Sequence, residues 1–215
     1  MTRTGIIVEI EELVFDTRDL RADALHAALR MEHVAVDRQT VWNAHAGVPA
    51  AIALTRLDAA LSLDDTAREL VLLRAADQVG RRFEEQAPSF DAAARDALQQ
   101  LAAEFVLGVV TRATRSDADR LLQLAELDGY VAVVRSLDGL EAERHHETWS
   151  EVLTRLHAAQ GVAIAPSALL QAARTAGLRT IAIDVPAEPE ADTPAWDGSL
   201  DSLARVDASF IASLT

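Results

Sequence analysis

Two hydrophobic patterns alternate along the chain. The first is a short apolar run rich in β-branched residues. It occurs at 5–10 (GIIVEI), 105–111 (FVLGVVT), 129–136 (GYVAVVRS), 161–165 (GVAIA) and 178–184 (LRTIAID). Residues apolar on both faces of a strand predict burial within a parallel sheet. The second pattern has a helical period. SFDAAARDALQQLAAE precedes the second run, and SDADRLLQLAELD follows it with Ser116 placed to act as an N-cap. HETWSEVLTRLHAAQ and SALLQAARTAG come next, the latter ending at Gly177, a residue suited to the position after a helix. Alternating strands and helices predict a Rossmann-like, doubly wound parallel α/β sheet. Ligands of such sheets bind outside the carboxyl ends of the strands.

Residues 16–85 break the alternation. They read as helices only: DLRADALHAALRMEHV, RQTVWNAHAGVPAAIALTRLDAAL and LDDTARELVLLRAADQVGRRFEEQ. The expectation is an α/β core of residues 1–15 and 86–215, with an all-helical cap domain, 16–85, inserted after strand one. The proline-rich tail DVPAEPEADTPAWDGSL is expected to run over the surface before a last helix, SLARVDASFIASL.

Composition narrows the function. Hydrophobic residues at 50% and charged residues at 25% describe a globular chain, and the formal net charge is -14. That balance disfavours nucleic acid, which needs basic residues to displace counterions, and anionic membrane surfaces. A neutral or basic protein partner suits it better, and a homo-oligomer is compatible with it. With no cysteine, disulfides, thiolate catalysis and Cys-ligated zinc are excluded. All 20 basic residues are arginine, so no mechanism here uses a lysine. The opening apolar run is too short for a signal peptide, and the protein is expected to be cytoplasmic.

Taken in order, several segments resemble the haloacid dehalogenase (HAD) superfamily, in its helical-cap subgroup of phosphoglycolate phosphatases and β-phosphoglucomutases. DTRDLRADALHAAL is similar to the stretch after that family's first motif, and GVPAAIAL to its cap loop. LGVVTRATRSDADRLL resembles the second motif and following helix, and AARTAGLRTIAI the helix and strand after the fourth. The resemblance implies a phosphoryl-transfer site, and the chain departs from it at three of four motifs. The nucleophile and acid/base Asp positions fall on Glu9 and Glu11, and the Gly after them on Glu12. Glu keeps the charge but adds a methylene, and a displacement of ~1 Å in such a site can cost about 100-fold. Thr111 retains the second motif's hydroxyl, which in the family bonds a phosphate oxygen. The third motif's Lys falls on Glu143, with Arg144 beside it as a substitute. The fourth motif's Mg²⁺-binding acids fall on Ile164 and Ala165, which bind no metal.

The resulting expectation is a degenerate HAD-like protein, a pseudoenzyme serving as a structural, regulatory or interaction subunit, with no cofactor. Two alternatives stand beside it. One is a Mg²⁺-dependent phosphatase or phosphomutase with Glu as nucleophile; the other is a non-hydrolytic phosphometabolite-binding protein. Glu9, Glu11 and Glu12 read as solvated loop acids, a working nucleophile loop, or a retained cation or ligand contact. Arg112 or Arg144 is a candidate counterion for them. Thr111 and Arg112 are the candidate ligand contacts, and Arg112 with Arg115 is a candidate anion site at a helix N-terminus. His145 and His146 read as an exposed loop rather than a metal site. His26, His33, His45 and His157 read as satisfied structural residues, and Asp184 as a remote stand-in for a metal ligand. Trp42, Trp149 and Trp196 are expected to pack on their own elements.

Overall fold

The computed structural model describes residues 4–45, 48–61, 63–85, 87–183 and 195–214, with 58–60 described by their backbone alone. Among the described residues, six strands form one sheet: β1 (Thr4–Glu9), β2 (Val106–Thr111), β3 (Val131–Ser136), β4 (Gln160–Pro166), β5 (Arg179–Ile183) and β6 (Gly198–Leu200). Their order is β3-β2-β1-β4-β5-β6, and every pairing is parallel. The chain runs outward from β1 to β3, then crosses to β4 on the other side of β1. That reversal opens a crevice above the carboxyl ends of β1, β2 and β4.

The period-two alternation within each strand sorts the core into two layers. Ile6, Val8, Val109, Val162, Ile164 and Ile181 face one side, packed by α5 (Ala92–Ala102), α6 (Arg115–Leu124) and α9 (Ala208–Leu214). Ile7, Val110, Ala163, Ala165 and Ala182 face the other, packed by α7 (His145–Arg155) and α8 (Ser167–Thr175). Trp149 lies fully buried in this second layer. Between β1 and α5 the described residues form α1 (Arg18–Met31), α2 (Arg38–His45), α3 (Ala50–Leu61) and α4 (Asp65–Glu85). They share a separate apolar cluster that includes Leu25, Leu29, Val41, Leu54 and Val71. α1 and α4 also reach the sheet, through Ala24, Val79 and Phe83.

Local chemistry sets the element ends. Asp91 caps α5 by accepting from the N–H groups of Ala93 and Ala94. Thr114, two residues before the expected Ser116, caps α6 by accepting from the N–H of Asp117 at 3.2 Å. Gly177, at φ +82°, closes α8. The Leu178 N–H reaches the Ala173 carbonyl, and the Gly177 N–H reaches that of Arg174.

The tail differs from its expectation. Residues 198–200 form a sixth strand, because pairing with β5 organises a segment that has no apolar run of its own. The single last helix is instead a short 3₁₀ turn at Leu203–Arg205 followed by α9. Ser202 and Asp207 each accept a backbone N–H, which starts two separate turns.

Gly108 fixes the distance between β2 and α7. A Cβ there would stand 2.5 Å from Val152 Cγ1. Gly108→Ala is expected to lower stability in urea by about 1–3 kcal/mol, and Val152→Ala in the same chain to recover part of that loss. Equal stability of Gly108→Ala and the parent would show that α7 is free to move outward.

Candidate functional site

The carboxyl end of β1 carries two buried carboxylates with different surroundings. Glu9 and Glu11 are both 0% exposed. The turn after them is tight. Glu12 adopts φ +70°, where L residues other than Gly, Asn and Asp are uncommon, and its N–H donates to the Phe15 carbonyl at 2.6 Å. This turn brings all three acids against the end of β2.

Glu11 is fully engaged. Its Oε2 accepts from the Thr111 hydroxyl and from the backbone N–H of Arg112, both at 3.0 Å. Its Oε1 forms an ion pair with Arg21 and takes a long 3.5 Å hydrogen bond from Thr17. Burial pushes this carboxyl up, but the charges of Arg21 and Arg112, with hydrogen bonds from Arg21 and Thr111, hold it below the usual carboxylate range.

Glu9 is poorly served by comparison. Its Oε1 accepts from the Glu11 N–H at 3.1 Å and lies 3.5 Å from Arg112 Nε. Its Oε2 is buried with no partner among the described residues. Burial raises the Glu9 carboxyl well above the usual range. Arg112 opposes the shift, Glu11 and Glu12 add to it, and Arg21 opposes it more weakly. Arg112 is the counterion of the group. It is 2% exposed, its Nη1 bonds Glu12 at 2.9 Å, and its Nη2 has no partner among the described residues.

The structure separates the residues singled out from sequence. Glu9, Glu11, Thr111 and Arg112 converge. Arg144 does not join them: it pairs with Glu147 on an exposed face of α7's first turn, and the adjacent Glu143 is exposed. Of the two counterion candidates, Arg112 therefore sits among the acids and Arg144 stands apart. Of the candidate anion site, Arg112 is inside the acid cluster and Arg115 bonds Asp119 and the Val134 carbonyl. His145 is buried rather than exposed, with Nε2 3.3 Å from the Leu140 carbonyl. His45 is not fully satisfied: its Nδ1 is buried without a partner among the described residues. Burial, then the charges of Arg112 and Arg21, push His45 down to about 3. Trp149 is buried, while Trp42 donates to Asp19. Asp184 lies outside the described residues.

Sequence reading missed Arg21, Thr17 and the state of His45. Arg21 lies one turn into α1, outside any motif, and only the fold returns it to the end of β1. The available signal was the excess of acids: Glu9, Glu11 and Glu12 outnumber the single arginine that either candidate counterion supplies.

The resemblance to the HAD superfamily implies Mg²⁺, and the donor set here does not fit it. The carboxyl end of β4 offers Ile164 and Ala165. Among the described residues no group of three or more His, Asp or Glu side chains is placed to hold a metal. The cation inside the acid cluster is the Arg112 guanidinium.

Above the cluster lies a cavity of about 430 Å³ between the inserted helices and the sheet. Arg21, His45 and Arg112 line its buried part, with apolar walls from α3 and α4.

The opposite shifts of Glu9 and Glu11 have opposite pH signatures. Glu9 is raised, so its contribution is complete below the ordinary carboxyl value and is lost as pH rises through its folded value. Glu11 is lowered, so its contribution is present above the ordinary value and is lost as pH falls through its folded value. Thermal melts across pH are expected to show Glu9→Gln gaining on the parent as pH rises. Glu11→Gln is expected to be less stable by about 3–5 kcal/mol near neutrality, with the deficit shrinking in acid. Parallel pH curves for the parent and Glu9→Gln would refute the raised Glu9.

The comparisons agree with this architecture. The chain resembles CbbY of Rhodobacter sphaeroides, solved in complex with phosphate, at 17% identity and TM-score 0.76, covering 95% of this chain and 96% of that one. A putative phosphoglycolate phosphatase of Lactobacillus plantarum aligns over 100% of both chains at 15% identity and TM-score 0.76. A putative β-phosphoglucomutase of Thermotoga maritima aligns at 18% identity and TM-score 0.62, over 94% of this chain and 95% of that one. No curated protein matches the sequence significantly. The model of the haloacid dehalogenase-like hydrolases matches residues 6–183, most of the chain, and the chain belongs to that family.

Proposed function

We propose that this chain is a catalytically degenerate member of its family, acting as a regulatory or interaction subunit. The observation that carries the reading is the position of the Glu11 carboxylate. It occupies the Thr111 hydroxyl and the Arg112 N–H, the first of which the family resemblance assigns to a phosphate oxygen. An internal anion thus sits where a substrate anion would be held, clamped by Arg21 from the first inserted helix. Arg112 neutralises the acids from within, and Glu9 is enclosed, with one oxygen engaged by the Glu11 N–H. For Glu9 to attack phosphorus in line, Glu11 must first leave its donors. That step breaks a buried ion pair, at a cost of about 3–5 kcal/mol.

The helices of 16–85 then serve as a fixed cover, with the Arg21–Glu11 pair tying α1 to β1. The net charge of -14 suits a neutral or basic protein partner. Large apolar side chains exposed among the described residues are Met31, Leu73, Leu124 and Tyr130, which lie on different elements. The described helices include none long and apolar enough to cross a membrane.

The test is turnover of p-nitrophenyl phosphate and a panel of sugar phosphates, with and without Mg²⁺, beside Glu9→Gln. The expected result is no rate above that control. Mg²⁺-dependent hydrolysis abolished by Glu9→Gln would overturn the reading and establish Glu as the nucleophile.

A further inference from the structure

The cavity over the acid cluster has the size and lining of a small-molecule site. Its volume of about 430 Å³ lies within the roughly 300–1,000 Å³ of small-molecule sites. Its walls are apolar: Pro49, Ala50, Leu72, Ala75, Ala76 and Val79. Two polar side chains in its lining are deeply buried and incompletely bonded. Arg112 is 2% exposed and His45 3% exposed, and Nη2 of the one and Nδ1 of the other lack partners among the described residues. Each such atom is costly to bury alone and is relieved by an oxygen brought in by a ligand.

The charges decide what kind of oxygen. The two cations at the cavity, Arg21 and Arg112, are matched by Glu11 and Glu12, and Glu9 adds a third acid. Glu69, Asp117 and Asp138 line the cavity as well, with Glu69 and Asp138 exposed. A phosphate dianion entering here meets acids at the mouth, no surplus positive charge inside, and Thr111 and the Arg112 N–H already taken by Glu11. A neutral molecule meets none of these penalties. Its apolar body replaces water along α3 and α4, and one oxygen accepts from Arg112.

We propose that this cavity binds an uncharged, largely apolar small molecule bearing a single carbonyl or hydroxyl oxygen, held by Arg112 Nη2 and His45 Nδ1. The proposal rests on the non-catalytic reading of the site, and deepens it by naming the class of ligand that reports through the Arg21 clamp.

The experiment is a fluorescence titration of the full chain with the neutral naphthyl ketone Prodan, whose emission shifts to the blue in apolar surroundings. Saturable one-to-one binding is expected, displaced by acetophenone and not by phenyl phosphate at the same concentration. Ala76→Phe, which fills the cavity from the partly buried face of α4, is expected to abolish it. His45→Phe keeps the ring and removes Nδ1, and is expected to weaken binding about five- to tenfold. Circular dichroism of both variants establishes that they are folded. Absence of saturable binding, or binding unchanged by a folded Ala76→Phe, overturns the proposal. So does stronger competition by phenyl phosphate. Release of phenol from phenyl phosphate in the presence of Mg²⁺ would instead overturn the non-catalytic reading, so the two failures are told apart.

Discussion

The Glu11 carboxylate is the constraint around which the site is arranged. It is buried at the end of the central strand and takes hydrogen bonds or ion pairs from α1, from the end of β2 and from its own loop. A carboxylate without these donors would cost several kcal/mol to bury. With them, it becomes a polar fastening between the inserted helices and the sheet, beside the apolar contacts of Ala24, Val79 and Phe83. Arg21 is the only part of this set that the inserted helices contribute among the described residues, so the ion pair is also a mechanical link between α1 and β1.

The remaining acids follow from that arrangement. Glu12 holds a left-handed backbone conformation, which for a residue of its size is unfavourable by about 1–2 kcal/mol. Its contact with Arg112 at 2.9 Å helps offset that strain. Glu9 is left with the poorest surroundings, because Arg112 is already engaged by Glu12 and lies 3.5 Å from Glu9. With two arginines against three acids the shortfall falls on Glu9, whose carboxyl is raised well above the usual range, by burial first. His45 completes the picture: its burial first, and then the same two arginines that satisfy Glu11, oppose a proton on the imidazole.

The sheet was legible in sequence because its strands are buried on both faces. Five continuous apolar runs have few alternatives in a chain of this size, and their spacing leaves room for crossover helices. β6 was not legible because nothing in GSL has strand character; its neighbour β5 supplies the pairing. Ser116 was a reasonable cap by residue type, but Thr114 lies where the backbone turns and takes the role. Within the site, residue type was legible position by position: Ile164 and Ala165 carry no side-chain oxygen and Glu143 no positive charge, wherever they point.

What the sequence determined by itself was residue type at strand ends: three acids after β1, a threonine after β2, and no acid after β4. Those identities rest on covalent order and on the periodicity of buried strands, both local properties. Only the tertiary structure decided which cation meets which acid. Arg144 and Arg112 were equal candidates on paper. Arg112 sits at the end of β2, hydrogen-bonded in register beside β1, whereas Arg144 precedes α7 on the outer face and finds Glu147 within its own turn. Charge pairing depends on distance and burial across roughly a hundred residues of chain, and sequence spacing carries neither.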